Sequence, residues 1–202
     1  MRRVRGVAYA TGVSASNNAR MIHVARDVLN AFASDIHVAA QYDPAPLVPD
    51  EELTNNNGSK KSGAKRRLGI GFGLSLVAES SAAGVLYAAD AVAPPEGGVV
   101  PEDVGRQCAF QLLETISRGG CVGSAAAPTV LTLMAMGSED VGRLRIGREV
   151  LGTEEMVGLA RDLRAFGASS WGLRDAEDDD DSGDIIISVK GIGIGNVGRK
   201  VA

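Results

Sequence analysis

The chain has 202 residues and a mass of 20.9 kDa, enough for one ordinary domain or two small ones. Hydrophobic residues make up 45% and charged residues 23%, a globular composition that excludes a disordered or membrane-embedded chain. The formal net charge of −4 excludes a uniformly basic nucleic-acid binder but leaves local basic patches open. Two cysteines argue against a disulfide framework and are too few to hold a structural zinc alone.

Strand and helix periodicities alternate through the first part of the chain. Alternating apolar residues predict strands at 4–10 and 36–40. Helically spaced apolar residues predict a helix over 17–32, with Ser16 as its N-cap. Residues 44–68 have three prolines and no periodic apolar face, so they predict a long mobile loop.

The same alternation continues beyond this loop. The predicted elements are strands at 70–79 and 85–92, a helix from Pro101 to Gly119-Gly120, a helix at 128–136, a strand at 144–150, a helix at 154–166 capped by Thr153, and strands at 170–174 and 185–190. This order predicts an α+β fold in two units, divided near Gly119-Gly120.

Motifs for cofactors, metals and nucleophilic catalysis are weak. The glycines of 193–198 have the spacing of a dinucleotide-binding turn, but only four residues follow them, too few for the helix that must cradle the pyrophosphate. The acidic run 177–181 lacks the ligand spacing of a calcium loop. His23 and His37 have no neighbouring nucleophile or orienting partner. We therefore predict no cofactor and no metal.

Two basic clusters are candidates for contact with RNA phosphates. The loop cluster, which nuclear import machinery could also read, consists of Lys60, Lys61, Lys65, Arg66 and Arg67. The second cluster is Arg143, Arg145 and Arg148, which nearly alternate along one predicted strand and its end. A solvated loop and an exposed sheet edge are the respective alternatives.

Five stretches carry a family resemblance, and they occur in the family's order: 5–8, 71–79, 101–105, 118–122 and 133–141. Together they resemble the RNA 3′-terminal phosphate cyclase family, specifically its cyclase-like, ribosome-biogenesis branch. The resemblance implies a small insert-type αβ domain over 1–120, followed over 121–202 by the C-terminal part of a βαβαββ repeat architecture. It also implies that the large N-terminal part of the family is absent from this chain.

The resemblance further implies that cyclase activity is absent. True cyclases adenylylate a histidine in this region, and the register places Gly152 at that position. Their Asp-Gln pair in the preceding helix is replaced by the sequence at 127–130. A glycine has no side chain to act as a nucleophile.

The cyclase-like branch lacks the same histidine. The resemblance therefore implies a non-catalytic assembly factor in nucleolar small-subunit (18S) pre-rRNA processing and ribosome biogenesis. Its implied partners are a nucleolar GTPase of the small-subunit processome and pre-rRNA, with no membrane, and its implied location is the nucleus and nucleolus.

Two alternatives stay open. In the first, the chain is a pre-rRNA endonuclease in which Asp162 positions a metal or water while Arg161 and Arg164 grip phosphate. This hypothesis needs the three side chains to converge with Arg143, Arg145 and Arg148; otherwise they form a salt-bridged solvent face. In the second, the chain is an inactive truncated fragment.

Overall fold

A computed structural model describes residues 1–49, 65–67, 69–81, 85–168, 171–176 and 183–194. The chain forms two compact units, one made of 1–84 with 88–113 and the other of 85–87 with 114–202. Each unit has its own sheet. None of the helices in the described ranges combines the length and the apolar character that a bilayer crossing requires.

Unit 1 is built on a four-stranded mixed sheet with the strand order β2-β1-β5-β6. The central strand β1 pairs in parallel with β2 and antiparallel with β5. The elements that contribute to unit 1 are β1 (Arg3–Thr11), α1 (Ser16–Leu29), β2 (Ile36–Asp43), β3 (Leu47–Pro49), β4 (Lys65–Arg67), β5 (Gly71–Glu79), β6 (Leu86–Val92) and α2 (Pro101–Ser117).

The core of unit 1 lies between this sheet and its two helices. Side chains alternate between the two faces of a strand, and β1 buries Val4 and Ala8 on one face. Helix α1 contributes the buried Met21. Gly105 lets α2 approach α1 closely, since a Cβ on Gly105 would lie 2.5 Å from the carbonyl oxygen of Met21. Cys108, on the same helix, is fully buried, as its place on the apolar stripe predicts.

Unit 2 is a three-stranded antiparallel sheet, ordered β7-β9-β8, with helices on one face. Helices α3 and α5 bury Leu131, Met156 and Leu163 against Ile146 and Ile187 of the sheet. The elements of this part of the chain are α3 (Ala127–Met136), β7 (Val141–Gly147), α4 (Arg148–Leu151), α5 (Glu154–Ala165), β8 (Trp171–Asp175) and β9 (Asp184–Lys190).

The α+β fold class predicted from the sequence is confirmed, but the end of one predicted strand and one predicted helix cap are wrong. The predicted strand at 144–150 ends at Gly147, because the backbone turns into α4 at Arg148. Ser16 is the first helical residue, and the N-cap position belongs to Ala15, which makes no side-chain cap bond. In contrast, the predicted cap Thr153 accepts a hydrogen bond from the backbone N–H of Met156 at 3.4 Å.

The segment predicted as a mobile loop contains two short strands. Leu47–Pro49 and Lys65–Arg67 pair antiparallel as β3 and β4, so the loop prediction is wrong for them. Backbone pairing needs no apolar periodicity, which is why the sequence pattern gave no sign of it. Residues 50–64 and 68 lie outside the described part of the chain.

Candidate functional site

The three arginines predicted along one strand occupy two different elements. Arg143 and Arg145 lie two residues apart on β7, so they share the face of the sheet opposite to the buried Leu144 and Ile146. Arg148 is the first residue of α4, and its guanidinium pairs with the carboxylate of Asp175 on the surface.

Arg145 belongs to a network around the buried Asp184. The side chain of Asp184 is 3% exposed, and one of its oxygens accepts a hydrogen bond from Nε of Arg145 at 2.5 Å. The two carboxylate oxygens also lie 3.1 and 3.2 Å from the backbone nitrogen of Gly120. A buried carboxylate needs such partners because its desolvation is otherwise uncompensated. The network therefore connects the turn after α2 to β7 and β9.

Tyr87 joins this network through the carbonyl group of Gly120. Its hydroxyl donates a 2.7 Å hydrogen bond to the carbonyl oxygen of Gly120. Burial raises the pKa of Tyr87, and the charge of Asp184 raises it further, so the hydroxyl remains a donor at neutral pH. The peptide groups of Gly120 are thus held on both sides.

The second predicted group of charges lies on α5. Arg161, Asp162 and Arg164 are all exposed, and none forms an ion pair with another residue in the described ranges. Arg161 and Arg164 lie three positions apart and share one side of the helix, whereas Asp162 does not line the same surface. The salt-bridged face considered as the alternative is therefore not formed among these residues.

Arg161 and Arg164 border an apolar groove of about 460 Å³, which we call the α5 groove. Val157 and Leu173 line it and are 42% and 62% exposed, so much of its apolar surface faces solvent. The full lining is Leu131, Leu151, Met156, Val157, Leu159, Ala160, Arg161, Arg164, Trp171, Leu173 and Ile187.

The structure does not bring the two arginine groups together. The α5 groove reaches Ile187 on the helix-covered face of the sheet, whereas Arg143 and Arg145 point to the opposite face. The convergence that the endonuclease hypothesis needs is therefore absent from this arrangement. No cluster of three or more histidine, cysteine, aspartate or glutamate side chains suited to a metal occurs within the described ranges.

Gly152, which the family register places at the cyclase histidine, is the C-cap of α4. A Cβ there would meet the carbonyl oxygen of Arg148 at 3.5 Å, an ordinary contact, so the backbone has room for a side chain. A small cavity of about 190 Å³ lies nearby, lined by Arg118, Ser124, Glu149, Val150 and Thr153. The glycine presents no nucleophile to it.

The loop cluster is only partly within the described structure. Lys60 and Lys61 lie outside it. Lys65, Arg66 and Arg67 form strand β4, and only their backbone is described. Their predicted contact with RNA or import machinery stays a prediction.

Sequence reasoning missed three charged residues of unit 2. The predicted strand 185–190 omits Asp184, although this residue is buried and is the first residue of β9. Arg174 and Lys190 lie on the same open face as Arg143, as the strand register places them. The alternation of side chains along β8 and β9 is the signal that could have found them.

Comparison with known proteins identifies the family. Residues 1–117 match the insert domain of RNA 3′-terminal phosphate cyclase (RTC). The chain belongs to the RTC insert-domain family. This confirms the resemblance predicted from the five stretches.

The chain is similar to proteins named as cyclase-like or as rRNA processing proteins. The rRNA processing protein RCL1 of Saccharomyces cerevisiae is 34% identical over 98% of this chain and 48% of its own length. The rRNA processing protein of Schizosaccharomyces pombe has the same identity and coverage. The RNA 3′-terminal phosphate cyclase-like protein of Homo sapiens is 37% identical over 73% of this chain and 35% of its own length. The chain thus spans about half the length of the two yeast relatives, or less for the human one.

Proposed function

We propose that this RTC-family chain is a non-catalytic assembly factor in rRNA processing, and that it holds a polypeptide partner in the α5 groove. Two relatives that match 98% of the chain are named rRNA processing proteins, which supports the process. The observation that carries the docking role is the groove itself: an exposed apolar surface bordered by Arg161 and Arg164, neither of which is paired within the described residues.

An apolar surface of this kind, rimmed by polar groups, is typical of a protein interaction site. Leu173 and Val157 supply exposed apolar area, and the arginines supply charge that a complementary carboxylate can pair with. Strand β8 lies at one end of the sheet order β7-β9-β8, so its outer backbone groups have no strand partner among the described strands. These features together suit a short acidic and apolar segment of a partner.

The finer proposal follows the family resemblance. The partner is a nucleolar GTPase, the substrate of the pathway is the small-subunit (18S) precursor, and the chain works in the nucleus and nucleolus. Each of these three statements requires its own measurement.

The first test is affinity purification of the tagged 202-residue chain from nuclear extract, followed by mass spectrometry and a GTP-hydrolysis assay of the eluate. Recovery of one stoichiometric GTPase is expected. The variant R161E/R164E should lower that recovery at least tenfold, since it reverses the charge on the rim of the groove. Precursor and mature rRNA are measured in cells that express the same variant in place of the natural chain, and the 18S precursors should accumulate.

The matched control is R143E/R174E, which makes the same change of charge on the opposite face of the same sheet. Unchanged recovery of the GTPase is expected for it. Equal loss of GTPase recovery from both variants would show that net charge matters rather than the groove. Unaltered levels of 18S precursors in the cells that express R161E/R164E in place of the natural chain would refute the processing role.

A further inference from the structure

The open face of the unit 2 sheet is a second surface that the proposed docking role does not use. We define it by the residues that the register places on it: Val141, Arg143, Arg145, Gly147, Gly172, Arg174, Asp184, Ile186, Ser188 and Lys190. Arg143 is opposite Ser188, which is opposite Gly172. Arg145 and Arg174 flank Ile186 in the next row, and Lys190 lies beyond Ser188 on β9.

This open face is strongly basic, although the chain as a whole carries a net charge of −4. Arg143, Arg174 and Lys190 are exposed, and none of the three has an ion-pair or hydrogen-bond partner in the described part of the chain. The acid that the register places on this face is Asp184, which is buried and already engaged by Arg145. Three cations are thus left without a partner among the described residues.

The shape of the face also suits a flexible ligand. A shallow depression of about 320 Å³ lies towards one end of the sheet, lined by Val141, Trp171, Gly172, Ser188 and Lys190. Gly172 and Ser188 are small, so the side chains leave the backbone approachable there. The two outer strands are about 10 Å apart, a width that a single extended strand of nucleic acid can cover.

We propose that this open face binds single-stranded RNA directly, with backbone phosphates on Arg143, Arg174 and Lys190. Phosphate contacts need cations and no apolar anchor. A protein partner needs a desolvated apolar centre, and this face offers only Val141 as an exposed large apolar side chain among its described residues. RNA is therefore the polyanion that the chemistry favours over an acidic polypeptide.

Direct RNA contact goes beyond the docking of a protein partner, and it uses the opposite side of the sheet. The two ideas can consequently fail separately. Arg161 and Arg164, which border the α5 groove, serve as the charge-matched control for the open face.

The test measures the affinity of the whole 202-residue chain for a fluorescein-labelled, mixed-sequence single-stranded RNA at a series of salt concentrations. Fluorescence anisotropy of the labelled RNA reports the binding. Each phosphate neutralised on a single strand contributes about −0.7 to the slope of log affinity against log salt. Three free cations predict a slope of about −2, or roughly a 20-fold loss of affinity between about 50 and 200 mM salt. R143A/K190A should reduce the slope to about −0.7, or roughly a threefold loss.

R161A/R164A removes the same charge from the other side and should keep the wild-type slope. The conservative variant Arg143→Lys should also keep it, since a lysine still neutralises one phosphate. Absence of saturable RNA binding, an unchanged slope in R143A/K190A, or an equal fall in R161A/R164A would each overturn the proposal. Displacement of the RNA by polyglutamate at equal charge concentration would also overturn it, in favour of an acidic protein ligand.

Discussion

The carboxylate of Asp184 holds the backbone amide of Gly120, with both oxygens within 3.2 Å of the nitrogen. Gly120 has a φ of +74°, and a Cβ there would lie 2.6 Å from the backbone nitrogen of Gly147. The residue must therefore be glycine, both for its backbone angle and for the close approach of β7. Asp184 fixes a turn that no larger residue could form.

Replacing Asp184 with alanine should destabilise unit 2 by about 2–4 kcal/mol, because it leaves the buried amide of Gly120 without its acceptor and removes a partner of Arg145. Trp171 is the one tryptophan of the sequence, so its fluorescence during urea unfolding reports on unit 2. Asp175→Ala is the control: both members of its pair with Arg148 are exposed, and a change below about 0.5 kcal/mol is expected. An equal loss of unfolding free energy for the two substitutions would show that the hydrogen bonds of Asp184 do not stabilise unit 2 more than a surface ion pair does.

Two glycines in helices should respond in opposite directions to alanine. Gly105→Ala should destabilise unit 1 by about 1–3 kcal/mol, because the new methyl group meets the backbone of Met21. Gly158→Ala should stabilise α5 by about 0.5–1 kcal/mol, since nothing lies within 4 Å of the added Cβ and alanine is the better helix former. Thermal unfolding followed by circular dichroism measures both. A stabilised G105A would show that α1 and α2 are not closely packed.

The two cysteines should differ sharply in alkylation. Cys108 is fully buried, and burial raises the pKa of its thiol to about 12, so almost no thiolate is present at neutral pH. Cys121 is only partly buried. Iodoacetamide at pH 8, followed by peptide mass spectrometry, should label Cys121 first and Cys108 only when unit 1 opens. Comparable labelling rates in the absence of denaturant would contradict this burial.

The thiol of Cys108 also makes the free energy of unfolding depend on pH in the alkaline range. Its pKa rises on folding from 9.0 to about 12, through burial first and the charge of Asp90 second. The unfolded chain therefore releases this proton at a lower pH than the folded chain, so the contribution of Cys108 is complete below about pH 9 and is lost as pH rises towards about 12. The stability difference between the natural chain and Cys108→Ala should narrow over that interval in urea unfolding. A constant difference would show that the thiol titrates alike in both states.

The elements that could be predicted from the sequence are those in which one face is continuously apolar. The sequence predicts helix α2 from Pro101 to the glycine pair, because Val104, Cys108 and Leu112 form an apolar stripe. The structure places this helix at Pro101–Ser117, with those three residues buried. The Thr153 cap could also be predicted, because its hydrogen bond from the backbone N–H of Met156 joins residues only three positions apart. Such local features are readable without knowledge of the tertiary structure.

The charged residues could not be placed by the same reasoning. Arg145 and Arg148 look alike in sequence, yet one is held by a carboxylate from β9 and the other by the end of β8. Those partners lie 39 and 27 residues away along the chain, so only the strand register decides the pairing. The separation of Arg143 from Arg161 onto opposite faces likewise depends on which side of the sheet α5 covers.

The position of β1 at the centre of its sheet has a consequence for the order in which unit 1 can assemble. Its parallel neighbour begins at Ile36, but its antiparallel neighbour begins only at Gly71. On a ribosome, β1 therefore emerges long before one of its two edges can be paired, and a half-built sheet is vulnerable to wrong strand partners. Closing the longer connection costs only about 0.6 kcal/mol for each doubling of its length. Evolution can lengthen or shorten the segment between β2 and β5 at little thermodynamic penalty, while the delay before β1 is fully paired grows with every residue added.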